Sequence, residues 1–135
     1  MAKSTGLGWT TFSVDDSSSV QRAIINDITN LTFATPRGVQ DVTGIDKSAF
    51  ERLLLLADFT ITLNGVFNPA SNQSHDVFKT VPSTSVARLV TNVQNGKTLS
   101  PTVILTDYAL TRAQTGELTF SVPGSLSNGV VPTWS

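Results

Sequence analysis

The stretch Asp58-Phe59-Thr60-Ile61-Thr62-Leu63-Asn64-Gly65 sets large apolar side chains at 59, 61 and 63 and short polar ones at 58, 60, 62 and 64. Successive side chains of an extended backbone point to opposite faces, so this period of two describes a strand with one face in a core and the other outside it. Gly65 marks a bend or bulge near the strand's end. Immediately upstream stand Arg52 and the run Leu53-Leu54-Leu55-Leu56. A continuous apolar run of that length predicts a strand buried on both faces in preference to an exposed patch. Residues 52–67 together carry the strongest β signal in the chain.

Working outward, residues 24–33 contain a second strand in which Leu31 and Phe33 alternate with Asn30 and Thr32. Between the two strands lies a polar segment, 35–50, punctuated by Pro36, Gly38 and Gly44 and anchored only by Val39, Val42 and Ile45. It is long for a connection inside one domain, and long ordered loops usually carry function. Downstream, Asn68-Pro69-Ala70-Ser71-Asn72 reads as a turn. Ser71 or Asn72 is expected to cap a short helix carrying Val77 and Phe78, which ends before Pro82. Strands are expected over 86–94, 102–112 and 117–122. The turn sequences Asn95-Gly96-Lys97 and Gln114-Thr115-Gly116 separate them, which predicts an antiparallel meander. Residues 1–19 read as an arm with one short strand at 9–14, and 123–135 as an extended tail pinned by Trp134. The expected architecture is one domain, 1–135. It is mainly β, a two-sheet β-sandwich or barrel of six or seven strands with one short flanking α-helix, a long loop and extended termini.

Composition narrows the function. Charged residues are 14% of the chain against roughly 25% in an average soluble protein. Uncharged polar groups are cheaper to bury than ions, so such a surface suits subunits that pack on neighbours. Nine Lys and Arg against ten Asp and Glu leave a net charge of −1, and no basic stripe exists to neutralise phosphates in tight nucleic-acid binding. The absence of cysteine excludes a disulfide framework, a thiolate zinc site and a thiol nucleophile. The longest apolar run, Leu53–Ala57, is far short of a membrane span. Residues 1–9 lack the apolar segment of a secretory signal, so assembly in the cytoplasm is expected.

No constellation for catalysis, cofactor binding or metal binding stands out. His75 is the sole histidine, and its neighbour Asp76 cannot face it on a helix. The pair Asp15-Asp16 sits in a polar run and reads as solvated. Gly6-Leu7-Gly8 lacks the third glycine and the preceding strand of a dinucleotide loop. Trp9, Phe12, Tyr108 and Trp134 are not interleaved with Lys or Arg as a base-stacking platform requires, which leaves core packing or subunit anchoring as their role.

The order of segments does resemble one family. Asn26-Asp27-Ile28-Thr29-Asn30-Leu31-Thr32-Phe33 is followed by a Thr-, Asp- and Gly-rich loop, then by Arg52–Leu56, then by Ala57-Asp58-Phe59-Thr60-Ile61-Thr62-Leu63-Asn64-Gly65-Val66-Phe67, and then by a turn into a helix at Asn68–Phe78. Over residues 24–122 this series resembles the tail-tube (major tail) proteins of long-tailed bacteriophages and of gene transfer agents. It departs from the family where Leu53–Leu56 is unusually apolar. The resemblance implies a non-enzymatic structural subunit without cofactors, forming hexameric rings that stack into a tube for DNA passage in the virion tail. Its partners would be other copies of itself and other tail proteins: tape measure, terminator, and baseplate or tip. Contact with DNA would be transient and non-specific, and no membrane is involved. Under this reading Trp9, Phe12, Arg37, Val39, Val42, Ile45, Phe50 and Trp134 are candidate assembly contacts, and Thr60, Thr62 and Asn64 a candidate channel face. The alternatives are a tail terminator or head-tail connector, which would close one ring and stop, and a carbohydrate-binding β-sandwich, which would need an exposed aromatic platform.

Overall fold

In the computed structural model, which describes residues 3–135, the alternation at 59–65 is realised as expected. Phe59, Ile61 and Leu63 are buried to within 1% of full occlusion, while Thr62 is exposed. They belong to or abut strand β6 (Thr60–Val66). The chain order is β1 (Trp9–Asp15), β2 (Gln21–Ala23), β3 (Ile28–Ala34), β4 (Arg37–Asp41), β5 (Arg52–Ala57), β6, helix α1 (Ser74–Phe78), β7 (Arg88–Gln94), β8 (Lys97–Leu99), β9 (Thr102–Leu105), β10 (Ala109–Arg112) and β11 (Leu118–Leu126).

All pairings are antiparallel, and the main path runs β2-β1-β7-β9-β11-β6-β3, with β10 added to β11 and β8 to β7. Strand β7 turns the corner: Arg88 and Leu89 pair with β9, and the residues after them pair with β1. The strands before and after that corner form two layers around one core. Phe12, Val14 and Val90 come from one layer, and Ile61, Leu63, Val103, Phe120 and Val122 from the other. Trp9 meets Phe33 across the layers at 5.8 Å, and Phe33 meets Phe59 at 5.7 Å. The path ends, β2 and β3, do not pair, so of the two expected forms the chain adopts the open sandwich and not the closed barrel.

The short helix is held at both ends by buried charges. Asp27, 1% exposed, accepts from the Ser74 backbone N–H at 3.0 Å and from Asn68 Nδ2 at 2.8 Å. Arg88, equally buried, donates to the Val77 carbonyl at 2.6 Å, to the Asp15 carbonyl at 3.1 Å and to Thr80 Oγ1 at 3.0 Å. An anion at the first turn and a cation at the last satisfy orphan backbone groups and complement the helix dipole. Val77 and Phe78 are fully buried, and Phe78 packs on Phe120 at 5.4 Å.

Several expectations are corrected. The helix starts at Ser74 with Gln73 at the capping position, and its cap comes from Asp27, 47 residues away, instead of from Ser71 or Asn72. Residues 102–112 form two strands, because β9 and β10 pair with different parts of β11. The strand expected over 117–122 continues to Leu126, taking four residues from the expected tail. The end of the chain is pinned by paired backbone bonds between Ser135 and Thr98, 3.0 Å each, and Trp134 stays half exposed. The segment expected as a loop at 35–50 contains β4, which pairs with β5 as a separate two-stranded ribbon. Leu53–Leu56, expected to be buried on both faces, are exposed by 54%, 62%, 45% and 92%. The physical reason is that β5 has one neighbour, β4, and no layer of the sandwich covers either face of the pair.

Candidate assembly surfaces

The outer face of the β3-β6-β11 layer is built by the same alternation that buries its inner face. Register places Thr32, Thr62 and Pro123 in one row across the strands, Asn30, Asn64 and Ser121 in the next, and Ala34, Thr60 and Ser125 in a third. Directly opposed residues share a face. Nine positions therefore present hydroxyls, amides and small apolar groups without one ionisable side chain. Thr60, Thr62 and Asn64, singled out from the sequence, form the middle column of this surface. Their flanking partners on β3 and β11 were missed; the parity of each strand is in the sequence, but not which strands lie side by side.

The β4–β5 ribbon is a finger standing off the sandwich. Val39 opposes Leu54 and Gln40 opposes Leu53, so leucines occupy both faces of β5. Both of its arginines are engaged within it. Arg37 donates from Nε and Nη2 to the Leu55 carbonyl at 3.2 and 3.0 Å, and the Arg52 guanidinium lies 4.6 Å above the Phe50 ring. At the tip, the Asp41 carboxylate accepts from the Thr43 hydroxyl at 2.6 Å and the Thr43 N–H at 2.9 Å, which holds its pKa below the ordinary value. Ile45 is fully exposed and Phe50 is 71% exposed.

The structure thus gathers Arg37, Val39, Val42, Ile45 and Phe50 into one finger, to which it adds Leu53–Leu56. Trp134 lies against the finger's base, where Arg37, Ala57, Val131 and Pro132 share a cleft with it. Trp9 stands apart, half-buried beside a different groove. Phe12 is 1% exposed; packing within the subunit takes up its side chain, which removes it from the candidate contacts. The alternation of β1 puts Phe12 and Val14 on the inner face.

Chemical sites are sparse. His75 Nδ1 lies 3.2 Å from the Tyr108 hydroxyl, and the imidazole sits 4.7 Å from the Phe67 ring, a packed environment with no carboxylate in the pair. Burial raises the Tyr108 pKa above its ordinary value. Among the described residues no group of three or more His, Asp or Glu side chains is arranged to hold a metal. No helix among them is long and apolar enough to cross a membrane.

No protein-family model matches the chain, and no curated protein matches it by sequence. Solved structures do match by fold. A chain of the native gene transfer agent virion superposes with a TM-score of 0.75 at 12% identity, covering 98% of this chain and 99% of its own length. A chain of the tail of the empty gene transfer agent particle, a structure with C6 symmetry, gives 0.73 at 14% identity over 98% and 99%. From end to end, this chain has the fold of a gene transfer agent tail subunit.

Proposed function

We propose that the chain is a structural subunit of a tail tube, six copies forming a ring and rings stacking into a channel for DNA. The observation that carries this reading is the full-length likeness of fold to a chain in a C6-symmetric tail. Two features of the molecule support it. A nine-position sheet face without ionisable groups suits the wall of a bore, since DNA neither finds cations to hold it nor meets an array of carboxylates to repel it. A finger with leucines on both faces suits burial between copies. The finger exposes Val39, Ile45, Phe50 and Leu53–Leu56, and exposed apolar surface gathered on one element marks an interaction site. Head-to-tail contact of a finger with a different surface of the next copy is heterologous, and such contacts generate rings or open filaments.

In this role the subunit needs no catalytic residue and no cofactor. It works in the virion tail, alongside tape measure, terminator and baseplate or tip proteins. Negative-stain electron microscopy across a concentration series, with sizing chromatography, tests the reading. Stacked six-fold rings or hollow tubes are the expected result. A single closed ring that never stacks would transfer the chain to a terminator or connector role.

A further inference from the structure

We infer that Asn128 is a modification site at which the folded chain deamidates itself, its side-chain amide being displaced by the backbone nitrogen of Gly129. Asn-Gly occurs three times, at 64–65, 95–96 and 128–129. In each pair the nitrogen after the asparagine belongs to a residue without a Cβ to hinder its approach to the carboxamide carbon. Only the third pair is placed for the reaction. Asn128 and Gly129 are exposed, just beyond the end of β11. Asn128 Oδ1 accepts from the Val130 N–H at 3.1 Å. This turn folds the carboxamide back over the Gly129 peptide, and the Val130 N–H stands at the oxygen that becomes negative when the carbon is attacked. Among the described residues nothing accepts from the Gly129 N–H. Gly129 has a φ of +73°, and no atom lies within 4 Å of where a Cβ would stand.

The other two pairs are occupied by the fold. Asn64-Gly65 lies inside β6, paired with β3 on one side and β11 on the other, and Gly65 is buried against the Asp27 carbonyl and the Phe120 ring. In the turn at Asn95-Gly96 the carboxamide is engaged with the start of the chain: Nδ2 donates to the Thr5 carbonyl at 3.1 Å, and Oδ1 lies against Gly8.

The step needs only water. The Gly129 nitrogen gives its proton to solvent and its electron pair to the Asn128 carboxamide carbon. The bond from that carbon to Nδ2 then breaks, and ammonia leaves with a proton from water. Hydrolysis of the cyclic imide at one carbonyl leaves aspartate, and at the other isoaspartate, whose main chain is longer by one methylene. Either product adds a negative charge to a chain whose net charge is −1. Isoaspartate also lengthens the path between Ser127, whose N–H donates to the Thr102 carbonyl at 3.1 Å, and Ser135, which pairs both ways with Thr98 at 3.0 Å. The last residues of the chain then lose their register on β8.

Trypsin, cutting after Lys and Arg, places the three pairs on three peptides, 53–79, 89–97 and 113–135. The full chain is aged at one mildly alkaline pH, folded or in guanidinium chloride, and the peptides are followed by mass spectrometry with an isoaspartate-specific methyltransferase as the second probe. In denaturant the three pairs are expected to convert at similar rates. In the folded chain Asn128 is expected to convert at least as fast as in denaturant, and Asn64 and Asn95 about tenfold more slowly or less, as sites that react only on local opening do. Protection of Asn128 by folding, or conversion of Asn95 ahead of it, overturns the assignment. Val130→Pro removes the donor at Oδ1 and is expected to slow Asn128 in the folded chain but not in denaturant, with slow conversion at Asn64 showing that the variant is folded. An unchanged folded rate overturns the role of the Val130 N–H. Hydrogen exchange at the Thr98 amide is expected to quicken as isoaspartate accumulates, and a constant rate overturns the coupling to the last residues.

Discussion

Two apolar runs separated by two residues meet opposite fates. Phe59, Ile61 and Leu63 are occluded in the sandwich, whereas Leu53–Leu56 stand in the open on a ribbon that neither layer of the sandwich covers. Their hydrophobicity is comparable; their pattern and their neighbours differ. Alternation commits one face of β6 to a core, and β3 and β11 on either side complete the layer. A continuous run commits neither face, and β5, paired only with β4, has no second layer to enter. Such surface on a single subunit marks an interaction site.

That contrast can be attacked from both sides. The largest effect on subunit stability is expected at Leu63→Ala, which leaves a cavity in the core and lowers the unfolding free energy by roughly 2–5 kcal/mol in a denaturant titration. Next is Asp27→Ala, which orphans the Ser74 N–H and the Asn68 amide at the start of α1. A loss of about 1–3 kcal/mol is expected, and a variant as stable as the parent would mean that water replaces the carboxylate there. In the finger, Leu54→Asp should change the unfolding free energy by no more than about 0.5 kcal/mol, yet it should abolish rings and tubes in the microscope. Destabilisation on the scale of Leu63→Ala would place Leu54 in a core after all. The smallest stability effect is expected at Thr62→Arg on the outer sheet face. If that face lines the bore, tubes of this variant should retain DNA in a salt-dependent way, because each added cation brings a counterion-release contribution; tubes of the parent should not.

Much of the body was legible because its signals are local. The parity of β6, the turns at Asn95-Gly96 and Gln114-Thr115-Gly116, and the short helix carrying Val77 and Phe78 can each be read within a few residues. The outer-face positions Thr60, Thr62 and Asn64 follow from the same parity. The cap of α1 was not legible, since its carboxylate lies 47 residues away while Ser71 and Asn72 stood near with suitable side chains. For Phe12 the sequence left core packing and subunit anchoring both open, because the strand that pairs with β1, β7, is remote in the chain. Strand β4 was hidden because Arg37-Gly38-Val39-Gln40-Asp41 has neither dense β-branching nor clean alternation, and it extends only because β5 lies beside it.

By itself the sequence determined the β class, the low-charge surface, the absence of thiol chemistry and which face of the central strand turns inward, because periodicity, composition and turn chemistry act over short distances. Tertiary structure alone decided that β7 crosses between layers, that the nine outer positions form one uncharged face, and that four consecutive leucines remain in the open. These depend on which strands lie side by side. Apolar character states that a side chain gains by leaving water; where it goes is set by the surfaces that the rest of the fold, or the next subunit, brings to meet it.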